Sequence, residues 1–219
     1  MTKELQKRLI TSIGLLVLVF FCIFSDLIIT ILALVIISAL SWLEFTKLIK
    51  KIYYKKRKNL KFNFILFSGA IYFIIFGLIS FYLIDYDKFY FIYILSVCAF
   101  SDIGGYLFGK YFKGRKLTKI SPNKTISGSI GSFIFSLVPY ILLSTIYNLG
   151  SEIFINIFIC LYLSLACQAG DLFISYFKRK AKVKDTGNIL PGHGGLLDRI
   201  DGIVFAIPSL TILIFLLNI

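Results

Sequence analysis

Residues 178–202 read KRKAKVKDTGNILPGHGGLLDRIDG. The stretch holds six basic residues, three Asp and the single His of the chain, and it joins two apolar runs, Ile153–Phe177 and Ile200–Ile219. Runs of that length and hydrophobicity are long enough to cross the hydrocarbon of a bilayer. A connection so polar must then stay in water or at the head groups, because unsatisfied polar groups are costly in lipid. The reading that follows is a membrane hairpin with its chemistry gathered at one end.

The rest of the chain agrees. It has 219 residues, 58% of them hydrophobic, and a mean hydropathy of +0.87. That places it among all-α polytopic membrane proteins, a helical bundle forming one integral domain. Besides the two runs above, five more stand out: Leu9–Phe24, Leu27–Leu43, Phe62–Ile84, Phe89–Phe108 and Ser132–Tyr147. About seven transmembrane helices are expected. Ser25-Asp26 joins the first two as a tight helical hairpin. Residues 1–98 then carry the N-terminal helices with a basic linker at 47–61, and residues 99–219 carry the polar sites.

A net charge of +13 suggests nucleic acid at first sight, but the distribution argues against it. With the N-terminus inside, 23 of the 24 Lys and Arg fall in inner segments; only Lys88 lies on the outer side, among Asp26, Asp85, Asp87 and Glu152. This asymmetry predicts an N-in, C-out topology. The inner clusters suit anionic lipid head groups. Cys22, Cys98, Cys160 and Cys167 sit within apolar runs without a CxxC pair and read as small buried hydrophobes. The first run lacks a small-x-small cleavage site in CIFSDL and reads as an uncleaved helix.

Two carboxylates interrupt the apolar runs: Asp102 in AFSDIGGYLFGK and Asp171 in CQAGDLFISYFKRK. A carboxylate within a membrane helix costs roughly 2.5–3.5 kcal/mol on insertion scales, so it is seldom idle. Both lie roughly 10–12 Å from the cytosolic end of their helices, counted to Lys110 and Lys178. Asp171, Ser175, Lys178 and Lys182 follow one helical face. Gly104, Gly105 and Gly109 make the helix of Asp102 thin enough for close packing. Asp198 and Asp201 face one side of the first turn of the last helix, where acids also suit the helix dipole. A structural ion pair is the competing reading for the membrane carboxylates.

Carboxylates converging from several helices suit Mg²⁺, which keeps waters and bridges to substrate phosphates. Nearby Lys and Arg would neutralise phosphate oxygens, and PGHGG offers backbone that can approach a polyanion closely. Metal, basic clamp and glycine loop are the parts of phosphoryl or nucleotidyl transfer. The position at head-group depth implies a soluble nucleotide and a lipid phosphate as substrates. One His without a neighbouring Cys argues against zinc, and neither GxSxG nor a Walker A motif occurs. DRIDG begins like the CDP-alcohol phosphotransferase motif, but IVFA does not continue it.

The loop resembles the signature of phosphatidate cytidylyltransferases, the CDP-diacylglycerol synthases. The matching positions are Ser175, Lys178-Arg179, Lys184-Asp185, Gly187, Pro191, His193-Gly194-Gly195, Asp198-Arg199 and Asp201. SDIGGYLFGKYFKGRKLTKISPNKT and GDLFIS are similar to two further regions of that family, so the resemblance covers roughly 99–202. It implies the reaction of CTP with phosphatidic acid, giving CDP-diacylglycerol and pyrophosphate with Mg²⁺. Asp171 and Asp198 would be the first metal ligands, with Asp201 and Asp102 in support. Lys178, Arg179, Lys184 and Arg199 would hold phosphates, together with Ser121 and Lys124. Ser175, Asp185, His193, Gly194 and Gly195 would complete the substrate site, His193 by binding phosphate or ordering the loop. The resemblance also implies a homodimer, a monovalent cation such as K⁺ beside Mg²⁺, and a cytoplasmic membrane location with the site facing the cytosol. Ile126 and Ser127 stand where the family commonly has an aromatic residue and Glu. A CTP-dependent polyprenol or phytol kinase and a cation-coupled transporter remain as alternatives.

Overall fold

The structure is a computed structural model that describes residues 3–54, 60–118, 120–121, 124–143, 153–190, 192 and 194–217. Eight helices follow in order: α1 (Lys3–Phe24), α2 (Leu27–Ile52), α3 (Leu60–Tyr86), α4 (Lys88–Phe112), α5 (Ile126–Ser136), α6 (Val138–Leu143), α7 (Ile153–Lys180) and α8 (Leu197–Leu217). Among the described residues the only β-pairings are isolated bridges, Lys116–Thr125 and Leu190–Gly194. Six segments are long and apolar enough to cross a membrane: α2, α3, α4, α5 with α6 (Ile126–Leu143), α7 and α8. The protein is a polytopic helical membrane protein. In α1 the apolar part is Thr11–Phe24, shorter than the others; at 1.5 Å per residue it covers about 21 Å.

Helix ends depart from the apolar runs where polar residues continue the helix. The run ending at Leu43 stops because Glu44 is charged, yet α2 continues to Ile52 and buries that carboxylate completely. The helix that begins the fifth span starts at Ile126, six residues before the apolar run. Thr125 caps it, its Oγ1 accepting the backbone N–H of Gly128 at 3.1 Å. Pro139 breaks the span at Leu137, since it has no N–H to continue the ladder. Residues 144–147 of that run lie outside the described residues.

Lys182 was expected to extend the polar face of α7, but the helix ends at Lys180 and Lys182 takes a left-handed φ of 55°. Its N–H donates to Arg179 O at 3.0 Å, and that of Val183 to Lys178 O at 3.0 Å. These two bonds close a Schellman turn that satisfies the last carbonyls and swings the chain off the helix axis.

The chain divides into two compact units. The first comprises Met1–Lys88 and Phe177–Ile200, so the polar connection packs with the N-terminal helices. Its core centres on Phe45, whose ring lies 6.1 Å from that of Phe73 and 5.4 Å, edge-on, from that of Phe177. The hairpin of α1 and α2 is tied by Thr30 Oγ1 donating to Cys22 O at 2.8 Å.

The second unit comprises Phe89–Tyr176 and Asp201–Ile219. Here α4 and α5 meet backbone to backbone: a side chain at Gly104 would collide with Gly131 O and Phe135, and one at Gly131 with Phe108. Helices α7 and α8 meet similarly at Gly170 and Gly202, with Phe173 and Phe205 ring centroids 4.9 Å apart. Cys98, Cys160 and Cys167 are free and buried, as their apolar surroundings predict, and Cys22 is free and part-buried.

Candidate active site

In the second unit the chain leaves α4 at Lys113, with φ 50°, and returns to α5 through a tight loop. Leu117 N–H donates to Lys124 O at 2.8 Å and Ile126 N–H to Arg115 O at 3.0 Å. Lys124 N–H donates to Ser121 O at 3.0 Å, so Ser121 and Lys124 belong to one turn. Ser127, where the resemblance expects Glu, fastens the base of the loop by donating to Lys113 O. The result holds Lys124 against Asp171, with which it forms an ion pair. Asp171 also accepts Ser175 Oγ at 3.3 Å. Asp102, exposed on α4, lies within electrostatic reach of both Asp171 and Lys124.

A chain of polar side chains crosses these helices next to the carboxylates. Ser129 Oγ donates to Gln168 Oε1 at 2.5 Å, Gln168 Nε2 to Ser164 Oγ at 3.3 Å, and Ser164 shares a 2.8 Å hydrogen bond with Ser101. Sequence reading missed it, since single Ser residues in apolar runs carry no periodic signal. It links α4, α5 and α7 where Asp102 and Asp171 sit. Asp201 belongs to this unit too, and one of its oxygens accepts the N–H of Gly202 at 2.9 Å.

In the first unit Asp198 gathers Lys178, Thr186 and Gly195 around its carboxylate. Its Oδ1 accepts Lys178 Nζ at 2.8 Å, and the pair is largely buried. Its Oδ2 accepts Thr186 N–H at 2.7 Å, Thr186 Oγ1 at 3.0 Å and Gly195 N–H at 3.0 Å. Leu190 N–H donates to Gly194 O at 2.9 Å. Gly194 has φ 85°, and a Cβ there would stand 3.1 Å from both Asp185 Cβ and Asp198 Oδ2. Only glycine meets both demands. Arg179, Lys184, Asp185 and Arg199 are exposed around this loop. His193 lies outside the described residues.

Glu44 of α2 reaches the same loop from more than 140 residues away in sequence. It is fully buried. It accepts Thr186 Oγ1 at 2.8 Å, Leu196 N–H at 3.0 Å and Leu197 N–H at 2.9 Å. The sequence signal that could have found it is the charge itself, the one acid of a helix whose other charges are Lys47, Lys50 and Lys51.

A sequence model of the cytidylyltransferase family matches residues 50–217. The chain belongs to that family. Among individual relatives, the phosphatidate cytidylyltransferase of Staphylococcus haemolyticus is 44% identical over 126 residues, 57% of this chain and 48% of the relative. That of Rickettsia typhi is 46% identical over 128 residues, 54% of each. That of Staphylococcus saprophyticus is 40% identical over 126 residues. The chain spans about half the length of the curated relatives it matches.

The structure thus brings Asp102, Lys124, Asp171 and Ser175 together in one unit, and Lys178, Thr186, Gly194, Gly195 and Asp198 together in the other. Among the described residues no three Asp, Glu, His or Cys side chains form a ready metal cluster.

Proposed function

We propose that this cytidylyltransferase makes CDP-diacylglycerol and pyrophosphate from CTP and phosphatidic acid. The observation that carries the reading is the 178–199 loop, in which Asp198 organises a glycine turn between exposed cations. Relatives with 40–46% identity named for this activity support it. A phosphatidate phosphate oxygen attacks the α-phosphorus of CTP, the α–β phosphoanhydride bond breaks, and pyrophosphate leaves. The attacking oxygen is already anionic, so neither a covalent enzyme intermediate nor a general base is needed. Lys178, Arg179, Lys184 and Arg199 hold the phosphates and stabilise the leaving pyrophosphate. Ser175 orients Asp171 by its hydrogen bond.

The donor set of the second unit fits a hard divalent cation: two carboxylates share one lysine, and Mg²⁺ commonly takes only one or two carboxylates plus waters and phosphates. Asp171 and Asp102 would hold it there. In the first unit Lys178 occupies Oδ1 of Asp198, and that oxygen becomes available to a cation when Lys178 turns to a phosphate. The chemistry bound Mg²⁺ supplies is neutralisation of phosphate charge in the transition state. Segregated basic residues support placing the protein in the cytoplasmic membrane with the site facing the cytosol. The family resemblance supports a homodimer and a K⁺ ion.

The test uses the purified full chain in detergent with phosphatidic acid, labelled CTP and Mg²⁺. The expected product is CDP-lipid, lost more than tenfold in Asp171→Asn and Asp198→Asn. Lipid phosphate labelled from the γ position would instead identify a lipid kinase.

A further inference from the structure

The buried carboxylate of Glu44 takes no part in the reaction above, yet it receives three donors of the loop that does. Two of them, Leu196 N–H and Leu197 N–H, stand at the start of α8, where the first amides have no partner within the helix. A carboxylate there satisfies them and complements the positive end of the helix. The fit is close: a Cβ at Gly187 would lie 2.5 Å from Glu44 Oε1, and one at Gly195 would overlap Oε2. At Gly187 the obstacle is Glu44 alone, whereas at Gly195 Thr186 Oγ1 and the backbone N of Gly187 stand in the way as well.

Thr186 connects the two carboxylates. Its hydroxyl lies 2.8 Å from Glu44 Oε2 and 3.0 Å from Asp198 Oδ2, but it has one hydrogen to donate. While Asp198 is occupied with Lys178 and the loop amides, that hydrogen has two acceptors to choose between. Once Asp198 and Lys178 turn to substrate, Glu44 remains as the acceptor.

We propose that Glu44 is a positioning residue that keeps Thr186, Leu196 and Leu197 in place when Asp198 and Lys178 are drawn to the nucleotide. The proposal rests on the cytidylyl-transfer reading for its kinetic part and on geometry alone for the anchoring. Both oxygens of Glu44 act as acceptors, so Glu44→Gln brings an NH₂ group against N–H donors while preserving shape. Thr186→Val removes the hydroxyl at nearly constant volume; Thr186→Ser retains it.

Hydrogen–deuterium exchange of the full chain in detergent reads the anchor directly. In Glu44→Gln the amides of Leu196 and Leu197 should exchange at least tenfold faster, with those of α3 unchanged. Initial rates with CTP and phosphatidic acid give the second readout: KM for CTP should rise at least fivefold in Thr186→Val, with kcat changed less, and Thr186→Ser should recover most of the loss. Unchanged exchange at 196–197 in Glu44→Gln would overturn the anchor. Faster exchange with KM and kcat both unchanged would overturn the positioning role. If Glu44→Gln exchanges faster throughout, the comparison of Thr186→Val with Thr186→Ser decides, and equal KM values for the two overturn the proposal. Faster local exchange in a protein whose parent makes no CDP-lipid would refute the reaction and leave the anchor standing.

Discussion

Asp171 and Asp198 are both expected to matter for catalysis, but their surroundings predict different costs of removal. Asp171 is part-exposed and touches Lys124 and Ser175. Asp171→Asn should lower activity more than tenfold while changing thermal stability by no more than about 1 kcal/mol, the range of open ion pairs. Asp198 is only 6% exposed and its partner Lys178 13%. Asp198→Asn strands a buried ammonium and loosens the loop, so it should cost on the order of 3 kcal/mol as well as activity. Detergent thermal melts beside CDP-lipid assays separate the two. Gly194→Ala forces a side chain into a left-handed turn against Asp198 and should reduce kcat/KM at least tenfold. The candidate acids Asp102, Asp171, Asp198 and Asp201 were legible because they interrupt apolar runs or fall in a dense motif. Glu44 was not, because a charge at the edge of an apolar run reads as the end of a helix; its burial depends on donors supplied by a loop far along the chain.

At the scale of elements, the crossing of α4 and α5 sets where Lys124 is delivered. Gly131→Val would drive methyl groups into Phe108 and the carbonyl of Gly104. Overpacking of this kind typically costs about 1–3 kcal/mol. The helices should separate, and Lys124 with them, so activity should fall together with the melting temperature. Thr125→Ala removes the cap of α5 together with the hydrogen bond to Ser127 Oγ and should cost about 1 kcal/mol. The thin face of α4 was readable from Gly104, Gly105 and Gly109. The early start of α5 was not, since ISGSIG is small and polar rather than apolar, and its helicity comes from a cap and from packing on α4. The end of α7 was likewise hidden: a lysine carries the left-handed turn where glycine is the usual signal.

For the whole molecule, the arrangement of charge is the strongest statement the sequence makes. It predicts that a cysteine replacing Asp87 is labelled by an impermeant maleimide from outside intact cells, whereas one replacing Lys180 is labelled only after the membrane is opened. The reverse pattern would reject N-in, C-out. Helical class was legible from composition because hydrocarbon imposes it; of the seven apolar runs expected to cross, six correspond to membrane-length segments and that of α1, Thr11–Phe24, is shorter.

The family match begins at residue 50, six positions beyond Glu44. A protein shortened to the matched segment would retain every residue of the motif and still lose the acceptor that holds Leu196 and Leu197. Its last helix would enter the bilayer with bare amides at its head, and the loop would have to borrow water or detergent to satisfy them. Any minimal version designed for expression must therefore begin ahead of α2.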